Sequence, residues 1–146
     1  MFSKGDSMKI LIGITCALWA TVAFAVQPNP TLTPGEICTP NNPDFVGYRY
    51  AAHVAYCRRN VTQEMKLQIA QEYGGIPQSE WPNYEFDHLI PLNAGGDSSI
   101  TNLWPQPIAE AHQKDQIEQQ VFDGLSSGKL TQDQAVQMIR EWIAQH

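Results

Sequence analysis

A carboxylate beside an imidazole, Asp87-His88, is followed along the chain by Asn102 and by a second imidazole, His112. A neutral imidazole with an ordinary pKa of about 6.5 can take a proton from water. A divalent ion held by a carboxylate and a nitrogen can offset charge on a pentacovalent phosphate and on its leaving oxygen. These residue types in this order are what a metal-assisted phosphodiester hydrolase needs.

Tyr84 to Leu92 is rich in β-forming residues and is broken at Pro91, which predicts a strand. Asn93 to Asp97, with Gly95-Gly96, supplies turn chemistry, and Ile100 to Trp104 can return as a short second strand. Pro105 and Pro107 suit the first turn of a helix, which the pattern runs from Ile108 to Asp123 and stops at Gly124. On it His112 and Asp115 share a face beside Ile108, Ala111 and Phe122, from which His112 can reach back over the hairpin toward Asp87. By itself such a residue reads better as a half-exposed surface histidine. Lys114 is a candidate phosphate contact, although a helix-surface lysine is usually just solvated. Neighbouring strand residues point to opposite faces, so Asp87 and His88 can serve one phosphate only if the strand bends there, as Pro91 allows.

The supporting chain begins with a leader. Lys4 and Lys9, the uncharged run Ile10 to Phe24 and the small-x-small Ala23-Phe24-Ala25 read as a secretory signal at residues 1–25, cleaved after Ala25. The run is too short for a spanning helix, so no stable membrane association is expected after cleavage. Cleavage removes Lys4, Lys9 and Asp6 and moves the formal charge from −6 to −7. A surface so acidic is unsuited to gripping a long nucleic acid mainly by its phosphates, which takes clustered Lys and Arg.

Residues 26–44 carry Pro28, Pro30, Pro34, Pro40 and Pro43 and read as an extended arm that is ordered only by what it docks on. In an exported chain Cys38 and Cys57 most simply pair, although two free thiols are the alternative. Phe45 to Asn60 leans toward strand, with His53 as a packed structural histidine. Arg58 and Arg59 are either a phosphate contact or a solvated edge. Thr62 caps a helix from Gln63 to Tyr73 with Met65, Ile69 and Tyr73 as its buried stripe and Gly74-Gly75 as its stop. Ile76 to Asn83 reads as a loop. Beyond a connection at Leu125 to Leu130, Thr131 and Gln134 form a capping box for a helix to Gln145, packed through Ala135, Ile139, Trp142 and Ile143.

Asp87-His88, Asn102 and His112 across a double-glycine loop resemble the HNH motif of the ββα-metal endonucleases. The stretch FDHLIPLNAGGDSSITNLWPQP followed by HQKD is similar to small exported HNH-like proteins of bacteria, as are CTPNNPDF and YRYAAHVAYCRRNV upstream. The resemblance implies His88 as general base, Asp87 and His112 as metal ligands, and Asn102 as the residue that holds the loop or the metal. It implies an α+β fold in which residues 45–146 form one domain, an HNH-like ββα-metal core with flanking helices behind the arm. The expected activity is metal-dependent cleavage of DNA or RNA outside the cytoplasm, by a secreted or periplasmic protein. One carboxylate and one or two nitrogens would accept Mg²⁺, Mn²⁺, Ni²⁺ or Zn²⁺. The competing expectation is a non-catalytic exported binding module that keeps the fold.

Overall fold

The computed structural model describes residues 27–146, so the expected leader at residues 1–25 lies outside the described residues. Among the described residues the fold is α+β, with two separate antiparallel hairpins and three α-helices.

The first hairpin joins β1, Phe45–Arg49, to β2, Val54–Cys57. The expected strand from Phe45 to Asn60 is thus two strands, reversed where Tyr50 and His53 both take positive φ. His53 is exposed at that reversal, its ring tilted against Tyr48 at 5.9 Å, which corrects its reading as a packed core histidine. Helix α1, Gln63–Glu72, follows with the expected Thr62 cap; Ile69 is buried, with Met65 and Tyr73 half-buried beside it. A 3₁₀ segment at Gln78–Asn83 stands where a loop was expected.

The second hairpin joins β3, Tyr84–His88, to β4, Leu103–Pro107. The return strand was expected to end at Trp104, with Pro105 and Pro107 opening the helix. Instead Pro105 pairs with Phe86 and Pro107 with Tyr84. Two prolines spaced by two residues lack N–H groups on the same side, so β4 can still pair through Trp104 and Gln106 with Asp87 and Glu85. The chain between the strands is no tight turn. It carries short 3₁₀ pieces at Leu92–Ala94 and Ile100–Asn102, and Gly95 is left-handed at φ 87°.

Helix α2, Ile108–Ser126, runs through Gly124, where a stop was expected. A Cβ at Gly124 would lie 2.3 Å from Leu130 Cδ1, so that glycine admits the returning connection rather than ending the helix. Helix α3, Gln132–Gln145, starts with the expected capping box of Thr131 and Gln134 and buries Ala135 and Ile139. Alternation along β3 and β4 separates two cores. Trp104 packs with Leu89, Ile90, Val121, Leu125 and Ile139 on one side, and Phe86 with Leu103, Ile69 and Ala70 on the other. Each large apolar side chain so buried contributes about 1.5–3 kcal/mol.

The proline-rich arm is docked. Cys38 and Cys57 form a disulfide that ties it to β2, a loop closure worth about 3 kcal/mol in the chain-entropy model. Backbone bonds from Cys38 N to Gly95 O, from Asp97 N to Glu36 O and from Gly35 N to Thr101 O lay the arm against the β3–β4 loop. Arg140 of α3 donates to Pro34 O from outside. No helix among the described residues is long and apolar enough to cross a membrane.

Candidate functional site

Asp87 and His88 end β3, and both line one cleft of about 300 Å³ with Arg49, Tyr56, Arg59, Asn93 and Glu118. The chain bends immediately after His88, which lets two neighbouring residues reach the same space. Asp87 turns toward α2, whereas the imidazole of His88 lies on the other side of the strand with Nε2 3.0 Å from Ser98 Oγ. His88 is 2% exposed. Burial drives its pKa down to about 4, with Arg59 and Lys114 acting in the same direction and Asp87 and Asp97 opposing, so the ring is neutral at pH 7.

The loop that supplies Ser98 is held by Asn102. Its Oδ1 accepts from Ile90 N at 2.9 Å, while Nδ2 donates to Ile90 O at 3.0 Å and to Asp97 O at 2.7 Å. Gly96 passes so close beneath Ile90 that a Cβ there would sit 1.7 Å from its carbonyl oxygen. Asp97 fixes the following turn by accepting from Ser99 N and Ser99 Oγ. Asn102 is therefore wholly engaged with the backbone of the loop, one of the two uses that the resemblance implied.

The second expected metal ligand is elsewhere. His112 and Asp115 are exposed on α2. The side chain that meets Asp87 is Lys114, two positions from His112 and hence roughly 200° around the helix. Lys114 is 1% exposed, so neither expected reading, phosphate contact or solvated lysine, describes it. Its Nζ donates to Asp87 Oδ2 at 2.6 Å, to His88 O at 2.7 Å and to Glu118 Oε1 at 2.5 Å. An ammonium has three N–H donors, and here all three are used. Burial alone would lower the Lys114 pKa, but the charges and hydrogen bonds of Asp87 and Glu118 outweigh it and hold the group protonated. Glu118 is pushed up by burial, against the pull of Lys114.

This arrangement does not fit a divalent ion held by Asp87 and His112. One oxygen of Asp87 is already taken by a fixed cation. An ion on the other oxygen would lie roughly 5 Å from the ammonium, where charges of +2 and +1 repel by about 7 kcal/mol at an effective dielectric near 20. Among the described residues no three His, Cys, Asp or Glu side chains are gathered in one place.

The two candidate arginines separate. Arg58 pairs with Asp44 at 2.9 Å on the surface, its side chain 68% exposed. Arg59 lines the cleft, joined there by Arg49, whose guanidinium carbon lies 3.3 Å from the Tyr56 ring centroid. Arg49, Tyr56, Ser98 and Glu118 escaped the sequence reading. The i,i+4 spacing of Lys114 and Glu118 was a visible sign of their pairing. Nothing local marks Arg49 and Tyr56, which reach the cleft because β2 packs against the Leu92–Ala94 piece of the β3–β4 loop.

No protein-family model, no curated protein and no solved structure matches this chain.

Proposed function

We propose that the protein hydrolyses phosphodiester bonds of nucleic acid outside the cytoplasm, with the β3–loop–β4–α2 unit as an HNH-like catalytic core. The carrying observation is that one polar cleft is lined by His88 and Asp87 at the end of β3 together with the two arginines Arg49 and Arg59. Arginine suits a phosphate because its planar fork of donors matches the phosphate oxygens. His88, which lines the same cleft, is neutral at pH 7 and has a lone pair for a proton from attacking water. Its pKa of about 4 makes it a weaker base than an ordinary histidine. The leader expected at residues 1–25 and the Cys38–Cys57 bridge support an oxidising compartment for this activity.

A second reading is favoured by one specific feature: His88 is 2% exposed and its Nε2 already engages Ser98. A binding module for phosphorylated ligands would use Arg49 and Arg59 and leave His88 as structure. Cleavage of plasmid DNA, of a structured RNA and of bis(p-nitrophenyl) phosphate, each with added Mg²⁺, Mn²⁺, Ni²⁺ or Zn²⁺ and each with EDTA, separates the two. The hydrolase reading expects cleavage that His88→Asn lowers by roughly 10²–10⁴-fold while the circular dichroism spectrum is unchanged. Full activity in that variant removes His88 from the reaction, and no cleavage under any condition favours the binding module.

A further inference from the structure

We propose that the ammonium of Lys114 is the resident cation of the cleft. It stands where a divalent ion would have to sit, so the site works without metal and becomes a divalent-ion site only when Lys114 is replaced by an uncharged residue. The claim of metal-free work rests on the hydrolase reading; the claim about ion binding does not.

Three oxygens surround Nζ: Oδ2 of Asp87, Oε1 of Glu118 and the carbonyl oxygen of His88, all within 2.5–2.7 Å. Two carboxylates and a carbonyl are the hard oxygen donors that Mg²⁺ and Mn²⁺ favour. The set is also reachable from solvent, because the side chains of Asp87 and Glu118 are 15% and 24% exposed and both line the cleft. What keeps it from being a metal site is the lysine itself. Lys114 lies on the buried face of α2 with Ala111, Val121 and Leu125, so its stem is fixed among packed neighbours and its head cannot swing out to make room. It neutralises one of the two carboxylates and occupies the space between them.

A positive charge built into the chain does part of what a bound ion would do. It holds Asp87 and the end of β3 in place and thereby sets where the His88 ring stands. Lys114 has no N–H left for a substrate and touches none of the reacting atoms. It is a positioning residue, and the cations that meet a phosphate are those of Arg49 and Arg59.

The test is a titration of Mn²⁺ into the full-length mature protein, followed by calorimetry and by the electron paramagnetic resonance signal of free Mn²⁺. Wild type is expected to show no saturable site and no change in Tm, and its cleavage activity is expected to survive dialysis against EDTA. Lys114→Ala is expected to bind one Mn²⁺ per chain and to gain roughly 5 °C or more in Tm at saturation. Asp87→Asn added to that variant should abolish both effects. One Mn²⁺ bound per wild-type chain and lost in Asp87→Asn overturns the proposal, as does folded Lys114→Ala that binds none. The wild-type and Asp87→Asn titrations do not use Lys114→Ala and therefore decide even if that variant fails to fold. Absence of cleavage under all conditions would sink the hydrolase reading alone, leaving the ion titration to judge Lys114.

Discussion

At the scale of single residues the site is governed by what is buried. His88 would titrate near 6.5 in the unfolded chain and does so near 4 in the folded one, chiefly because burial disfavours its charged form. The unfolded state therefore binds the extra proton first as pH falls. Stability from this residue is full above pH 6.5 and is lost progressively down to about pH 4, a change of about 3 kcal/mol. The charged groups facing the ring are Asp87, Asp97, Arg59 and Lys114, and none cancels the effect of burial. Glu118, raised by burial, works in the opposite sense. The expected observation is that urea midpoints of wild type fall more steeply between pH 7 and pH 4.5 than those of His88→Asn; parallel curves would contradict the depressed pKa.

At the scale of elements the β3–β4 loop is the part that places chemistry, and a single side chain spans it. Asn102→Ala removes three hydrogen bonds and leaves Ile90 N, Ile90 O and Asp97 O without their partner in the interior. Unpaired buried groups cost about 1–3 kcal/mol each, so the variant should lose about 3 kcal/mol or more in denaturant unfolding. Asn102→Asp should fare no better, because a carboxylate cannot donate to the two carbonyls. A loss under about 1 kcal/mol would mean that the loop is held by the arm and the disulfide instead. The order strand, loop, strand, helix was legible from Tyr84 onward, as were the caps at Thr62 and Thr131, because these signals are local. The boundaries at Pro105, Pro107 and Gly124 were not. Proline is tolerated in a strand when its missing N–H faces away from the partner, and glycine continues a helix when a neighbour such as Leu130 needs the space.

At the scale of the whole molecule the charge balance would limit how the proposed nucleic-acid substrate is held. With a formal charge of −6 and only Arg49 and Arg59 at the cleft wall, few phosphates can be neutralised at once. About two released counterions correspond to a slope of about −2 in log K against log salt for duplex DNA, and somewhat less for single strands. Fluorescence anisotropy of a labelled oligonucleotide with His88→Asn across a salt series measures this slope. A value near −6 would point to a contact surface well beyond the cleft.

Residues near one another in the chain reveal themselves by type and spacing, and for this protein that was enough for the Asp87-His88 pair, the pairing of Cys38 with Cys57, the capped helices and the α+β character. The partner of Asp87 was a different matter. His112 and Lys114 sit two residues apart on one helix, and either could have faced the strand as far as composition and periodicity go. The rotation of α2 is set by packing Ala111, Val121 and Leu125 against the core, and that rotation turns Lys114 inward to Asp87 and leaves His112 in solvent. Long-range packing, which weighs every apolar contact of the helix together, chose the cation at the centre of the site.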